Sequence, residues 1–262
     1  MIETISCGDF EMKCLRFGKK GARPLVVLPG LSLISVMTFA EPVMNAYKIY
    51  AEDHEVFLFD RREQIPDRYT VYDMARDTSE AMDRLGIKDA DLMGISQGGM
   101  IGLVIALERP ELVRALALCS SAVGVGEDAE RIISRWKGMA ESGDIKTLYK
   151  CFGSDLYTEN FCKQNEDAFE LLADMVSEND RQRFIILADA TSGFDVTGRA
   201  AEISCPVCVF AASGDVIFPM ALQAGFAKRY GWESQVFEGY GHAVYDECPQ
   251  FHPRVEEFFN NN

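Results

Sequence analysis

The ten residues Gly98–Leu107 (Gly-Gly-Met-Ile-Gly-Leu-Val-Ile-Ala-Leu) contain no charged side chain. A helix built from them is apolar almost all round, so it has no face to offer water and must be buried. Gly98, Gly99 and Gly102 let it approach its neighbours closely. It follows Gly94-Ile95-Ser96-Gln97-Gly98, which itself follows the strand-like stretch Asp89–Met93. A strand that turns sharply into a buried helix places Ser96 at the apex, with its hydroxyl exposed and its backbone strained. Glycines two residues before and two after are required because side chains there would crowd the turn.

Other segments repeat this strand-then-helix alternation. Ile2–Cys7 and Phe10–Phe17 read as two short strands about the turn Gly8-Asp9. Pro24–Leu28 is a compact apolar strand ending at Pro29-Gly30, and a helix is predicted over Pro42–Tyr50. Glu55–Phe59 is a strand ending at Asp60. The following helix carries a stripe of Val71, Met74, Ala75, Thr78, Met82 and Leu85, with charged residues between. Leu112–Cys119 reads as a strand, as do Val207–Ala211 and Glu233–Phe237, with helices near Pro219–Tyr230 and Pro249–Phe259. Such alternation implies a mostly parallel sheet covered on both faces. Ligands of these sheets sit at the carboxyl ends of the strands, which is where Ser96 lies.

Between Cys119 and Cys205 the alternation stops. Residues from about 127 to 190 read almost entirely as helices, with Trp136, Phe152, Phe169 and Phe184 among their apolar anchors. The block is bounded by small, flexible stretches near 120–126 and 191–198. A helical block between flexible joints, inserted in an alternating sheet, reads as a lid whose hinges are those joints. The expected organisation is a core of residues 1–122 and 199–262 and a lid of 123–198.

A serine hydroxyl needs a base, normally histidine, and the chain has three. His54 lies in the charged run Glu52-Asp53-His54-Glu55 and reads as a solvated loop residue; His252 reads as an ordinary residue at the start of the last helix. His242 sits in Gly239-Tyr240-Gly241-His242-Ala243, a glycine-flanked loop after a strand, and is the candidate base. Asp215 ends the strand 207–211 at the same sheet edge and is the candidate carboxylate that orients it. The oxyanion formed at an attacked carbonyl needs two donors, expected from the amides of Gln97 and of Leu31 in Leu28-Pro29-Gly30-Leu31-Ser32.

The net charge of −15 disfavours nucleic acid and anionic membranes. No run approaches the roughly 18 apolar residues of a membrane helix. Residues Met1–Ser6 lack the basic start and apolar core of a signal peptide, so a cytoplasmic protein is expected. Of the eight cysteines only Cys205-Pro206-Val207-Cys208 has a suggestive spacing. It opens a strand, where positions three apart face opposite sides, and no second pair or nearby histidine completes a metal site, so both read as structural.

The order Ser96…Asp215…His242, the turn Gly94-x-Ser96-x-Gly98 and the insertion between Cys119 and Cys205 resemble the α/β-hydrolase fold superfamily over essentially the whole chain. The resemblance implies an α/β fold: a mostly parallel, doubly wound sheet with a helical lid inserted after the sixth strand. It implies a serine hydrolase that cleaves a small, largely uncharged ester through an acyl-enzyme. It implies no metal and no organic cofactor, and it leaves a homodimer open. A carbon–carbon bond hydrolase with the same three residues, and a ligand-binding protein on a hydrolase scaffold, are the alternatives. Leu31, Leu33, Trp136, Phe152, Phe194, Val216, Ile217 and Val244 are the candidate pocket residues. Two departures stand out. Pro29-Gly30 replaces the His-Gly of many relatives, which predicts a looser loop there. Asp60-Arg61-Arg62 is followed by Glu63-Gln64-Ile65 instead of glycines, which predicts a differently shaped loop.

Overall fold

Aliphatic and β-branched runs bounded by Gly, Pro and Asp form eight strands: β1 (Ile2–Ser6), β2 (Glu11–Gly18), β3 (Arg23–Leu28), β4 (His54–Arg62), β5 (Ala90–Ile95), β6 (Val113–Cys119), β7 (Val207–Ala212) and β8 (Glu233–Phe237). Eleven helices join them: α1 (Ala40–Ala46), α2 (Val71–Leu85), α3 (Gln97–Glu108), α4 (Glu127–Ser142), α5 (Ile145–Leu156), α6 (Glu159–Gln164), α7 (Glu166–Met175), α8 (Glu178–Thr191), α9 (Met220–Tyr230), α10 (Val244–Glu247) and α11 (Phe251–Asn261). The computed structural model describes residues 1–262. No helix is long and apolar enough to cross a membrane.

The strands form one sheet in the order β1-β2-β4-β3-β5-β6-β7-β8. Only the β1–β2 and β2–β4 pairs are antiparallel. From β4 to β8 every pairing is parallel, as the alternation of strand and helix implies. Along the central strands successive side chains enter opposite cores. Val26, Leu28, Leu92, Leu116 and Leu118 face the larger core under α2, α3 and the helical insertion. Leu25, Val27, Met93, Ile95, Ala117 and Cys119 face the smaller core under α1 and α11. Strands buried on both faces need continuous apolar runs, which these are.

Local signals set the helix ends. Thr70 and Asp73 form a reciprocal capping box at the start of α2, and Gly86, at φ 70°, ends it in the left-handed region. The helix α3 is buried from Gln97 to Ala106, as its uncharged sequence requires. Predicted and observed elements differ mainly at α1, which ends at Ala46 and gives way to turns, and at β4, which begins at His54 and runs to Arg62.

Helices α4–α8 lie between β6 and β7. The two stretches expected as hinges are hydrogen-bonded to each other. Val125 N donates to Phe194 O at 2.9 Å and Val196 N donates to Val123 O at 2.7 Å, about an isolated bridge between Gly124 and Asp195. Each joint is therefore braced by the other, forming a short two-stranded neck.

One histidine reading is corrected here, and the other is placed as expected near the start of α11. His54 is the first residue of β4, fully buried, with Nε2 3.0 Å from Asp91 Oδ2. Asp91 also meets Arg23 and Arg114, so the charged sequence around His54 belongs to a buried ion cluster at the strand start. His252 is half-buried, and its Nδ1 lies 3.0 Å from the Tyr50 hydroxyl. Burial pushes its imidazole down to about 4.

Candidate active site

Ser96 follows β5 and caps α3 with φ 53° and ψ −121°, a conformation that costs a non-glycine residue roughly 1–3 kcal/mol. The turn is held by its surroundings. Ser96 N donates to Cys119 O at 2.9 Å, and Ser121 Oγ donates to Ser96 O at 2.7 Å. A Cβ on Gly94 would stand 2.6 Å from Gly99 Cα, and one on Gly98 would overlap the Leu28 carbonyl. The motif glycines are thus steric requirements of a helix packed against two strand ends. Gly30 is close as well: a Cβ there would lie 3.2 Å from Ser96 Cβ, a tight contact that a small shift could relieve.

Asp215 and His242 arrive from the ends of β7 and β8, and both are buried. Asp215 Oδ1 accepts from the amides of Ile217 and Phe218, each at 2.9 Å. Its Oδ2 lies 2.9 Å from His242 Nδ1 and accepts from Gln223 Nε2 at 3.2 Å. This carboxylate is fixed by four contacts, and it fixes one imidazole nitrogen in turn, leaving Nε2 toward the cavity it shares with Ser96. No hydrogen bond joins Ser96 Oγ to the ring; such bonds often tighten only with substrate bound. Phe218 packs on the imidazole with ring centroids 5.7 Å apart.

The amides of Leu31 and Gln97 make no hydrogen bond within the protein, and both residues line the cavity beside Ser96. The loop before Leu31, which lacks the histidine, is held by another side chain. Arg61 Nη2 donates to Pro29 O at 2.8 Å and to Gln97 Oε1 at 2.9 Å. Its guanidinium is 4% exposed, and burial lowers its pKa to about 10. The Gln97 side chain continues outward, donating to Leu187 O and Thr191 Oγ1 of α8, each at 2.7 Å. Asp60, at the end of the same strand as Arg61, accepts from Ser35 and binds Arg183 of α8 at 2.6 Å. One polar chain therefore runs from the Pro29 loop through the serine turn into the helical insertion.

The insertion covers the site. A cavity of about 30 Å³ is lined by Gly30, Leu31, Ser96, Gln97 and His242 below, and by Ile133, Trp136, Phe152 and Leu156 above. Trp136 packs on Phe152 with centroids 4.6 Å apart, and its indole N–H donates to Asp155 at 2.8 Å. Beside it lies a larger groove of about 430 Å³ between the 29–47 segment and α5, lined by Leu33, Phe39, Tyr47, Tyr157 and Asp246 among others. Gly30, Leu31, Phe152, Leu156 and Tyr245 line both.

The insertion is also fastened to the histidine loop. Ala243 N donates to Leu156 O at 2.8 Å, and a Cβ on Gly241 would lie 2.6 Å from that oxygen. Tyr157 and Thr158 then reach the side chains of Asp246 and Glu247, at 2.8 Å and, from the Thr158 amide, 3.0 Å.

Of the pocket residues predicted, Leu31, Leu33, Trp136, Phe152 and Ile217 line one cavity or the other. Three do not. Phe194 is buried in the neck, 6.2 Å from the Tyr72 ring. Val216 is 49% exposed and points to solvent, while its neighbour Ile217 turns inward. Val244 is fully buried in the smaller core, facing α11 rather than the site. Gln223, Arg61, Ile133, Leu156, Phe218 and Tyr245 were not anticipated. Cys205 and Cys208 are free thiols away from the site, pushed up by burial to about 11 and about 12.

Comparison with known proteins agrees with this architecture. A carbamate hydrolase assigned as putative, RutD of Pseudomonas savastanoi pv. phaseolicola, is 28% identical over 223 residues, covering 79% of this chain and 84% of its own. The putative RutD of Caulobacter segnis is 25% identical over 232 residues, covering 84% and 86%. Among solved structures, MGS-M2 from a Medee basin deep-sea metagenome library superposes with a TM-score of 0.88 at 19% identity, over 98% of this chain and 97% of that one. The enol-lactonase of Burkholderia xenovorans LB400 gives 0.85 at 18%, over 98% and 100%. The sequence profile of the alpha/beta hydrolase fold matches residues 23–249, most of the chain, so this protein belongs to the alpha/beta hydrolase family.

Proposed function

We propose that this protein is a serine hydrolase that cleaves a small, largely uncharged ester through an acyl-enzyme on Ser96. The observation that carries the reading is the Asp215–His242 pair, buried, 2.9 Å apart and opening on the same cavity as a strained Ser96. His242 Nε2 takes the proton from Ser96 Oγ as the oxygen attacks the carbonyl carbon. Asp215 stabilises the imidazolium and holds Nδ1 protonated. The oxyanion is received by the Leu31 and Gln97 amides, each worth about 2.7–4 kcal/mol of barrier. His242 then returns the proton to the departing alkoxide, and a water activated by the same nitrogen releases the acid.

The small cavity at Ser96 favours a small acyl part. About 30 Å³ admits roughly two water-sized groups at 10–15 Å³ each, so an acetyl group is the expected acyl part. The larger groove beside it takes the rest of the ester. A carbamate is the second reading, favoured by the names of the relatives that are 25–28% identical. A carbamoyl group is close to acetyl in size, so the same cavity suits both.

The test combines a fluorophosphonate probe with turnover. One phosphonyl group on the wild type and none on Ser96→Ala, with p-nitrophenyl acetate hydrolysed faster than the hexanoate and lost in the variant, is the expected result. Phenyl carbamate run beside phenyl acetate ranks the two readings. A folded wild type that takes no adduct and turns over neither compound would overturn the proposal.

A further inference from the structure

The groove beside the serine cavity has a feature that its apolar lining makes conspicuous. Asp246 is the only charged residue that lines it; no lysine or arginine does. Asp246 lies on α10, four residues after His242; part of its surface reaches solvent, yet the atoms packed about its carboxyl push it up to about 6, so it is ionised at neutral pH. Its Oδ2 accepts from the Tyr157 hydroxyl at 2.8 Å, which sets the carboxylate's orientation and leaves Oδ1 without a protein donor. Aromatic rings share the groove with it. Tyr47, Tyr157, Tyr245 and Phe39 all line the same groove. Burial first, and then the Asp246 charge, raise the phenols of both Tyr47 and Tyr245, so the field of this carboxylate reaches the rings on either side.

A free carboxylate oxygen in a groove lined with aromatic rings is chemistry suited to an organic cation: the carboxylate attracts the charge, and aromatic surface replaces part of its hydration. An anionic group would meet Asp246 with no countercharge, and the chain's net charge of −15 repels it at longer range while drawing cations in. The groove is continuous with the reaction cavity through Gly30, Leu31, Phe152, Leu156 and Tyr245. A molecule seated in both therefore spans from the serine to Asp246.

We propose that Asp246 and the tyrosines about it form a subsite for a substituted ammonium group, so that the favoured substrate is a small-acyl ester whose distal part carries a cationic amine. This rests on the ester-hydrolase reading above for its chemistry, replacing the uncharged distal part given there with a cationic one, though it does not rest on that reading for its binding site.

Three phenyl acetates test it, differing only in the para substituent: trimethylammoniomethyl, the isosteric neutral neopentyl, and carboxymethyl. The wild type is expected to favour the cation over the neutral isostere by about tenfold in kcat/KM, the order expected of one partly solvated charge pair, and to disfavour the anion. In Asp246→Asn that ratio is expected to fall to near one; because it is read within one variant, a partial loss of folded protein cancels. Equal rates on cation and neutral ester in the wild type, or a preference that survives Asp246→Asn, would overturn the proposal. Binding is measured separately by titrating benzyltrimethylammonium into Ser96→Ala and into Ser96→Ala with Asp246→Asn. Saturable binding in the first, weakened about tenfold in the second, is expected; equal binding refutes the subsite. If no ester is turned over but this difference holds, the ester reading fails and the cation subsite stands.

Discussion

Replacing Gln97 with methionine separates the two things this residue does. Its main-chain amide faces the serine cavity; its side chain, 1% exposed, makes three hydrogen bonds that join Arg61 to Leu187 O and Thr191 Oγ1 of α8. Methionine keeps the length and the amide and removes all three. The bond from Arg61 is charge-assisted, worth about 1.5–3 kcal/mol, and the two others are worth about 0.5–1.5 kcal/mol each. Some of this is recovered, since Thr191 Oγ1 keeps its bond to Leu187 O at 3.2 Å and Arg61 keeps Pro29 O at 2.8 Å. A net loss of about 3 kcal/mol is expected. At roughly 2–4 °C per kcal/mol for a chain of this size, calorimetry should show Tm lowered by about 6–12 °C. Because the amide remains, kcat/KM on p-nitrophenyl acetate should fall by less than about tenfold, against the 10²–10³ typical of a lost oxyanion donor. A Tm within about 2 °C of wild type would show that the chain from Arg61 to α8 carries no stability. A fall of 10² or more in kcat/KM at unchanged Tm would place the side chain, not the amide, in the chemistry.

Asp215→Asn should keep the fold, since its remaining oxygen can still accept from the Ile217 and Phe218 amides, while kcat drops by about 10⁴, as when a triad carboxylate elsewhere is made an amide. A drop under about tenfold in stopped-flow ester hydrolysis would mean that another group orients His242. Gly98→Ala forces a methyl into the Leu28 carbonyl and within 2.7 Å of Pro29 O, both backbone atoms that cannot swing away. Urea unfolding should show a loss of about 1–3 kcal/mol or more, together with slower phosphonylation of Ser96; wild-type stability would contradict the packing described. His252 is held well below its ordinary value, at about 4, so the unfolded chain binds a proton there first. Stability is therefore full above about pH 6.5 and is lost as pH falls toward 4, by about 3 kcal/mol in all. His252→Gln should flatten that part of the stability–pH curve, and an unchanged slope would assign it to other groups.

The three residues at the centre were legible because each is announced by short-range sequence. Ser96 has its flanking glycines and the uncharged helix behind it, and Asp215 and His242 follow recognisable strands. Their supports were not legible, because they are long-range. Arg61 meets Gln97 across 36 residues, and Arg183 meets Asp60 across 123, with no local pattern to mark either pair. His54 misled because its charged neighbours suggest solvent. The partner that buries it, Asp91, is 37 residues away on β5. Val216 and Ile217 show the limit for loops: outside a helix or strand there is no period to say which of two adjacent apolar residues turns inward. Val244 erred for a related reason, since α10 was not anticipated and its single turn directs that side chain into the smaller core.

The hydrogen bond from Ala243 N to Leu156 O ties the histidine loop to the covering helix. Lifting α5 off that corner would drag or release the residue next to His242, so the site would lose its aligned imidazole whenever this edge opened. The 29–47 segment, which forms the other wall of the groove, makes no backbone hydrogen bond to the histidine loop. Opening on that side would leave the Ala243–Leu156 bond, and the histidine loop it holds, in place.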